Sequence, residues 1–201
     1  MKYFFAIICF FYCTLVFSQN DSTEAIKQIK EFQKNLNANY SNPAQSPLQS
    51  KDLKKFKGHN FYPINLKYRV TAKLTQTEQE KAFKMPTTTS RLPEYRKYGE
   101  LHFSIDGVTY KLNVYQSIDL MKLEKYKDYL FLPFTDLTNE KDTYSGGRYI
   151  ELTIPEGNEL ILDFNQAYNP YCAYNNKYSC PLVPSENHLN ITILAGVKLK
   201  K

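Results

Sequence analysis

The most constraining feature of this chain is an Asp-Gly pair between two runs of alternating apolar and polar residues. In ELHFSIDGVTYKLNVY, residues 100–115, alternate residues on both sides of Asp106-Gly107 are apolar. Such alternation places one face of a strand on a core and the other in water. Asp-Gly suits a type I′ turn, because both central residues of that turn need a positive φ. The stretch therefore predicts an antiparallel β-hairpin.

Short segments of similar pattern recur along the chain and are separated by brief turns. They are LKYRVTAKL, YLFLPF, RYIELTI, LILDFN and LNITILAG, which begin at residues 66, 129, 148, 160 and 189. About seven strands at this spacing predict an all-β fold, an antiparallel meander that forms a barrel or a sandwich. The positions predicted to face its core include Tyr68, Val70, Leu101, Phe103, Leu112, Leu152, Leu162, Phe164 and Ile191.

The first residues have the pattern of a secretory signal peptide over residues 1–18. One lysine is followed by an apolar run from Tyr3 to Phe17 and then by the small residue Ser18. The run is shorter than the ~20 residues that span a bilayer. We therefore expect cleavage before Gln19, an exported protein in the periplasm or secreted, and no transmembrane segment in the mature chain.

Two further units follow the predicted signal peptide. Residues 19–50 combine an amphipathic helix, with apolar residues at spacings of three and four, and a linker that contains Pro43 and Pro47. Residues 51–201 hold the strand-like segments and predict a single β domain. The helix is then an appendage that packs on the β domain.

Charge and motifs exclude several function classes. The chain has 26 Lys and Arg residues against 20 Asp and Glu residues, a net charge of +6 that is spread out rather than gathered into an arm. This distribution predicts no nucleic-acid partner. The sequence contains no P-loop, GxSxG or HExxH motif, and it predicts no cofactor.

Two acidic residues are predicted to lie side by side. If RYIELTI and LILDFN pair as a hairpin with all apolar residues on one face, Glu151 lies opposite Asp163 and Tyr149 lies opposite Asn165. Two carboxylates at Cβ distances of ~5 Å repel each other unless a proton or a cation lies between them. The pair predicts an acid/base or cation site, or else a solvated face. The neighbouring Arg148 would bind an anionic group or neutralise Glu151.

Asp136 and the pair Gly146-Gly147 are further candidates. Asp-x-Thr at Asp136 is typical of a side-chain cap on the next turn, although a carboxylate there can also act in catalysis. The two glycines allow the backbone to approach a ligand closely, or they form a β-bulge.

The tyrosine-rich stretch DFNQAYNPYCAYNNKYSCPLVPSENHL, residues 163–189, predicts a long loop. Loops longer than ~12 residues without secondary structure are usually functional or covalently held. Cys172 and Cys180 predict a disulfide in an exported protein, with reduced thiols or a metal site that includes His188 as the alternatives. The tyrosines cover the mouth of the barrel or form a platform for a sugar or another flat ligand.

Three long strings together resemble one protein family. They are FKMPTTTSRLPEYRKYGEL, YLFLPFTDLTNEKDTYSGGRYIEL and LDFNQAYNPYCAYNNKYSCPLVPSENHLNITILAG, and the similarity runs from about Ser46 to Gly196. The family consists of bacterial and archaeal proteins known as DUF1684, a domain of unknown function. The resemblance implies one domain with a polar signature and implies no activity, cofactor or partner.

Three function classes remain open on the sequence. The first is a binding module for a small polar or saccharide-like ligand. The second is a hydrolase or other acid/base enzyme with the candidate residues Asp136, Glu151, Asp163 and Glu186. The third is a structural or partner-binding envelope protein. The side chains predicted to contact a ligand are Arg148, Tyr149, Asn165, Asn169, Tyr171 and Asn187.

Overall fold

The structure, a computed structural model, describes residues 2–77 and 80–199, with side chains described from position 21 onward. Helix α1 runs over Lys2–Ser41, and the single-turn helix α2 runs over Ser50–Leu53. Among the described residues, no helix is long and apolar enough to cross a membrane. The predicted signal peptide lies outside the residues whose side chains are described.

Within the part of the chain that the structure describes, eight strands follow the helices. They are β1 Arg69–Gln76, β2 Phe83–Lys84, β3 Glu94–Ile105, β4 Val108–Ser117, β5 Tyr129–Asp136, β6 Arg148–Thr153, β7 Glu159–Asp163 and β8 His188–Leu189. The main sheet has the order β6-β5-β4-β3-β1-β7, with β2 beside β3 and β8 parallel to β5. The sheet curls into a half-barrel, so the predicted all-β fold with an N-terminal helix is confirmed.

The predicted hairpin is the pair β3 and β4. Asp106 and Gly107 have φ angles of +52° and +76°, as a type I′ turn requires, and Ile105 pairs with Val108 across the turn. A β-bulge interrupts the ladder between Lys97 and Gly99. A Cβ atom at Gly99 would lie 2.6 Å from the Thr75 carbonyl oxygen, so the bulge brings β3 too close to β1 for any larger residue.

The main hydrophobic cluster of the described residues forms the core of the β domain. All nine positions predicted to face it are either buried in the main hydrophobic cluster or packed against that cluster. Leu101, Leu162 and Phe164 are fully buried, and Val70 and Ile191 are partly buried at the margin. The period-two pattern therefore predicts the direction of these side chains correctly.

The predicted hairpin between RYIELTI and LILDFN does not form. β6 pairs with β5, where Leu152 lies opposite Leu130, and β7 pairs with β1, where Leu162 lies opposite Val70. The two strands stand at opposite ends of the sheet order. The predicted register was wrong because it relied on the apolar residues of both strands falling on one face. Any two strands that share a core meet this condition, whether or not they are hydrogen-bonded neighbours. Glu151 and Asp163 are therefore not a cross-strand pair.

Helix α1 packs against the β domain. The predicted helix is confirmed, and its residues Ala25, Ile29 and Tyr40 are buried. The helix is tied at its end, since Asn37 Oδ1 accepts hydrogen bonds from the backbone N–H of His59 at 2.8 Å and contacts its Nδ1 at 2.9 Å. Closer to the middle of α1, Arg69 of β1 donates to Gln28 at 3.1 Å. These contacts fix α1 beside the loop that follows β7.

Candidate functional site

A cleft of about 410 Å³ separates α1 from β6 and from the loop that follows β7. We call it the α1–β6 cleft. One wall comes from the helix, and the other comes from the edge of β6 and the tyrosine-rich loop. Its lining consists of Phe32, Asn35, Leu36, Asn39, Tyr149, Glu151, Tyr168, Pro170, Tyr171, Ser179, Cys180 and Pro181.

The loop is attached to β6 by a short antiparallel bridge. The backbone N–H of Tyr149 donates to the Tyr168 carbonyl at 2.9 Å, and the N–H of Tyr168 donates to the Tyr149 carbonyl at 3.0 Å. The Tyr149 hydroxyl donates to the carbonyl of Pro181 at the far end of the loop. Tyr149 thus holds both ends of the loop against β6 and forms the floor of the cleft.

Glu151 is the charged residue of the described lining. Its Oε1 accepts a hydrogen bond of 2.9 Å from the Tyr168 hydroxyl. Burial, and then the Glu151 charge, raises the pKa of Tyr168 well above its ordinary value, and the same two causes raise the pKa of Tyr129. Both phenols therefore stay protonated at neutral pH and can donate to the carboxylate.

The aromatic rings of the cleft are held in fixed orientations. Tyr149 and Tyr168 meet edge to face, with ring centroids 6.0 Å apart and an interplanar angle of 87°. The ring of Tyr40 on α1 meets Tyr171 in a similar way at 5.8 Å. Edge-to-face packing is a favoured arrangement of aromatic pairs, so these contacts preserve the shape of the cleft. Tyr171 remains 41% exposed at its mouth.

The structure places Asp163 and Asn165 away from the cleft lining. Asn165 was predicted to contact a ligand, and Asp163 was predicted to belong to an acid/base or cation site or to a solvated face, yet both are buried. Asp163 Oδ2 accepts from Arg69 at 3.0 Å, while its Oδ1 accepts from the backbone and side-chain N–H groups of Asn165 at 2.9 and 2.8 Å. Asn165 also exchanges two hydrogen bonds with the backbone of Asn65. The reason is a short 3-10 turn that follows β7 at once, so the strand alternation stops at Asp163.

Asp136 and Arg148 form a fully buried ion pair. An Arg148 guanidinium nitrogen lies 3.1 Å from Asp136 Oδ1, and the guanidinium also donates to the carbonyls of Ile193 and Ala195. Asp136 accepts from the Thr138 hydroxyl and from the Ile193 N–H, each at 2.8 Å. Burial is the larger influence on Arg148 and lowers its pKa, against the opposing effect of Asp136. Arg148 does not neutralise Glu151, and Asp136 takes the capping role that its Asp-x-Thr motif predicts.

Asn169 and Asn187 were predicted to contact a ligand, but their side chains donate hydrogen bonds to other groups of the protein. Asn187 is fully buried, donates to the carbonyls of Asn113 and Pro133 at 2.9 and 2.7 Å, and accepts from the Asn113 N–H at 2.9 Å. Asn169 is buried as well and donates to the Tyr174 hydroxyl at 3.2 Å. Asn187 thus joins the end of the loop to β4 and β5.

Gly146 and Gly147 pack closely against other residues of the protein and do not border an open space. Gly147 has φ +90°, and a Cβ atom there would lie 2.5 Å from Val183 Cγ2 and 2.6 Å from the Phe134 carbonyl oxygen. The position therefore requires glycine for conformation and for packing.

Cys172 and Cys180 are adjacent free thiols in this structure. The Cys172 N–H donates to Cys180 Sγ at 3.2 Å. A hydrogen bond from the Cys180 thiol is the largest cause that lowers the pKa of Cys172, to about 6, and the same bond raises the pKa of Cys180. Cys180 lines the α1–β6 cleft, so the state of the pair bears on its wall.

The remaining candidates lie outside the cleft. Glu186 is exposed and accepts from Ser185, and His188 is exposed with its Nδ1 3.0 Å from the Thr135 hydroxyl. Among the side chains that the structure describes, no three His, Cys, Asp or Glu residues are grouped to hold a metal ion.

Sequence reasoning missed the contribution of α1 to the site. Phe32 and Leu36 were predicted only to pack on the sheet, yet they are half-buried and line the cleft together with Asn35 and Asn39. Asparagines four residues apart, beside two apolar residues of similar spacing, place amide groups along one border of the apolar stripe. That spacing was a usable signal for a polar wall.

Comparisons with known proteins agree with the fold. The family described as "Protein of unknown function (DUF1684)" matches residues 54–198. A solution NMR structure of an uncharacterized protein from Haloarcula marismortui is similar to this chain, with 31% sequence identity, a TM-score of 0.70, and coverage of 89% of this chain and 96% of that chain. No curated protein matches the chain. The family match covers most of the sequence, and this chain therefore belongs to the DUF1684 family.

Proposed function

We propose that this protein is a small-ligand-binding β domain and that the α1–β6 cleft is its binding site. The observation that carries the proposal is the lining, in which three tyrosines and one carboxylate border a space of about 410 Å³. Ligand sites in proteins commonly have this size and combine aromatic walls with a few polar groups. A small polar ligand with a flat face, such as a saccharide ring, suits such walls.

The arrangement of carboxylates favours binding over acid/base catalysis. General acid/base chemistry needs titratable groups that reach the same substrate. Of the four predicted carboxylates, Glu151 lies in the cleft lining, whereas Asp136 and Asp163 are buried in ion pairs and Glu186 is exposed elsewhere. One carboxylate between tyrosines is a recognition group rather than a catalytic pair.

Export forms part of the proposal. The pattern of residues 1–18 supports secretion to the periplasm or the medium, where a disulfide between Cys172 and Cys180 would persist. The Cys172 N–H already donates to Cys180 Sγ at 3.2 Å, and a disulfide between these residues would stiffen the loop that carries Tyr171. Thiol counting on denatured, unreduced exported protein should find neither of these thiols free. Two free thiols would contradict the pairing.

Native mass spectrometry tests the binding site directly. We expect the full chain, purified without denaturation, to retain a small molecule that is released on unfolding. Asn35→Trp places an indole in the cleft from the exposed side of α1 and should abolish retention. Lys34→Trp adds the same ring at the exposed neighbouring position, which is outside the described lining, and should retain the ligand.

The melting temperatures of the two variants serve as the control for folding. Both substitutions lie on exposed positions of α1, so both should melt close to the unsubstituted protein. If Asn35→Trp and Lys34→Trp retain a molecule equally, the ligand binds elsewhere. If the protein retains no molecule and no member of a small-molecule library raises its melting temperature, the binding function is contradicted.

A further inference from the structure

The α1–β6 cleft differs in charge from the rest of the protein. The chain carries 26 Lys and Arg residues and 20 Asp and Glu residues. The cleft lining, as far as the structure describes it, contains Glu151 and no lysine or arginine. A tyrosine-lined cleft whose described lining carries one negative charge is poorly suited to an anionic ligand, because nothing in that lining would compensate the charge of the anion.

We propose that this cleft receives an organic ammonium group, bound by the Glu151 carboxylate and by the rings of Tyr168 and Tyr171. The inference rests on the proposed binding function and specifies the chemical class of the ligand. An amino sugar and an arylalkylamine carry the same group, and both have the flat face that the aromatic walls accommodate.

The first support is the unpaired charge of Glu151. The ion pairs among the described side chains involve other acidic residues, and none includes Glu151. Its hydrogen bond from the Tyr168 hydroxyl orients the carboxylate but adds no positive charge. A carboxylate has about four acceptor directions, so oxygen sites remain for an ammonium donor.

The second support is the aromatic surroundings of that carboxylate. Tyr168 lies within hydrogen-bond distance of Glu151 and stands perpendicular to Tyr149, while Tyr171 lines the same space from the loop. An ammonium group over the face of a tyrosine is attracted by the ring quadrupole, most strongly where water is partly excluded. The phenols also remain neutral, because burial raises the pKa of Tyr168 and Tyr171. A cation therefore meets a carboxylate and neutral π faces in one cleft.

The test is isothermal titration calorimetry on the full chain at low ionic strength. The probes are two matched pairs, tyramine with 4-ethylphenol and glucosamine with glucose, each pair differing in the ammonium group. We expect at least one ammonium probe to bind at least about tenfold more tightly than its neutral counterpart. Added salt should reduce this difference in affinity. Whether tyramine or glucosamine shows the preference identifies an arylalkylamine or an amino sugar as the source.

Two substitutions locate the charge that is responsible. Glu151→Gln keeps the shape of the side chain and should weaken the ammonium probe about tenfold or more while leaving the neutral probe unchanged. Glu156→Gln removes an exposed charge from the loop after β6, outside the described lining, and should bind like the unsubstituted protein. If Glu151→Gln fails to fold, the comparison of charged and neutral probes on the unsubstituted protein still decides the matter.

Equal binding within both pairs, or binding of none of the four probes, would overturn the ammonium inference. The proposed function has a separate outcome. A neutral or anionic molecule that is retained by the unsubstituted protein and lost in Asn35→Trp would confirm the cleft as a ligand site and would refute only the ammonium group.

Discussion

At the scale of single residues, burial decides which polar side chains belong to the fold and which are available to a ligand. Asp136, Asp163 and Asn187 look like site residues in the sequence, because each stands in a polar run that adjoins a strand. In the structure each is buried and also bonds to a residue that is distant in the sequence: Asp136 to Arg148, Asp163 to Arg69, and Asn187 to Pro133. Glu151 is exposed and has no cationic partner among the described side chains, which leaves it available for recognition.

The buried pair of Asp136 and Arg148 gives the first prediction. Asp136→Asn leaves the Arg148 charge without a counter-ion in the core, and we expect a loss of about 3–5 kcal/mol in the free energy of unfolding. Urea denaturation followed by circular dichroism measures it. The control, Asp119→Asn, removes the partner of Lys122 in an exposed ion pair and should cost less than about 1 kcal/mol. Similar small losses in both variants would mean that the core tolerates the uncompensated arginine.

The ring of His59 gives a prediction about acid. Burial lowers the pKa of His59 from 6.5 to about 4. Below pH 6.5 the unfolded chain binds a proton that the folded protein does not bind until the pH approaches about 4, so acid should favour unfolding across this window. Denaturant melts of His59→Asn should show a shallower decline in stability between these pH values than the unsubstituted protein. Identical slopes in His59→Asn and the unsubstituted protein would contradict the assignment.

Residue-level prediction from sequence was successful for apolar side chains and poor for polar ones. The alternation around Leu101 and Leu162 has a single solution, because one face of each strand must be dry. A polar position such as Asp163 has the same appearance whether it faces water or a buried arginine. Its partner, Arg69, is 94 residues away in the sequence, and no local pattern indicates it.

At the scale of elements, most strands were recognisable, but LNITILAG contributes only Leu189 to the two-residue strand β8, β2 was not predicted, and one pairing was predicted wrongly. The turn at Asp106-Gly107 specifies its own hairpin, since the chain has no residues to spare between β3 and β4. The longer connection between β6 and β7 does not require these two strands to pair with each other. Pairing β7 with β1 instead leaves the edge of β6 to Tyr168 of the loop, and this bridge is what creates one wall of the α1–β6 cleft.

The parity of β7 is testable with neighbouring residues. Leu162 is fully buried, and Leu162→Ala should lower the free energy of unfolding by about 2–5 kcal/mol because it leaves a cavity in the core. Ile161 points to the opposite face and is 46% exposed, so Ile161→Ala should cost distinctly less. Denaturant melts of both variants measure the difference. A larger loss for Ile161→Ala would show that the two faces of β7 are reversed.

At the scale of the whole molecule, the candidate site is a product of two parts that the sequence presents as separate. The amphipathic stripe of α1 predicts a helix that packs on the sheet, and the tyrosine-rich loop predicts a cover for the half-barrel. Neither pattern predicts that the helix and the loop face each other across the cleft, because that arrangement depends on contacts such as Asn37 with His59. The loop was expected to cover the mouth of the barrel or to form a ligand platform by itself, whereas α1 supplies the opposite wall of the cleft.

A second cavity provides an internal comparison for the site. It has a volume of about 320 Å³ and is lined by residues that include Asp52, Lys55, His59 and Lys198. Its lining mixes charges of both signs, unlike that of the α1–β6 cleft. A ligand that carries an ammonium group should therefore bind in the α1–β6 cleft rather than in the second cavity.

The most direct measurement is a titration of the 15N-labelled full chain with the tighter-binding ammonium probe, followed through backbone amide chemical shifts. A ligand in the α1–β6 cleft must shift amides on both walls at one common dissociation constant, those of Asn35 and Asn39 on α1 together with those of Glu151 and Tyr171. Shifts confined to one wall, or centred on the second cavity around His59, would contradict the account.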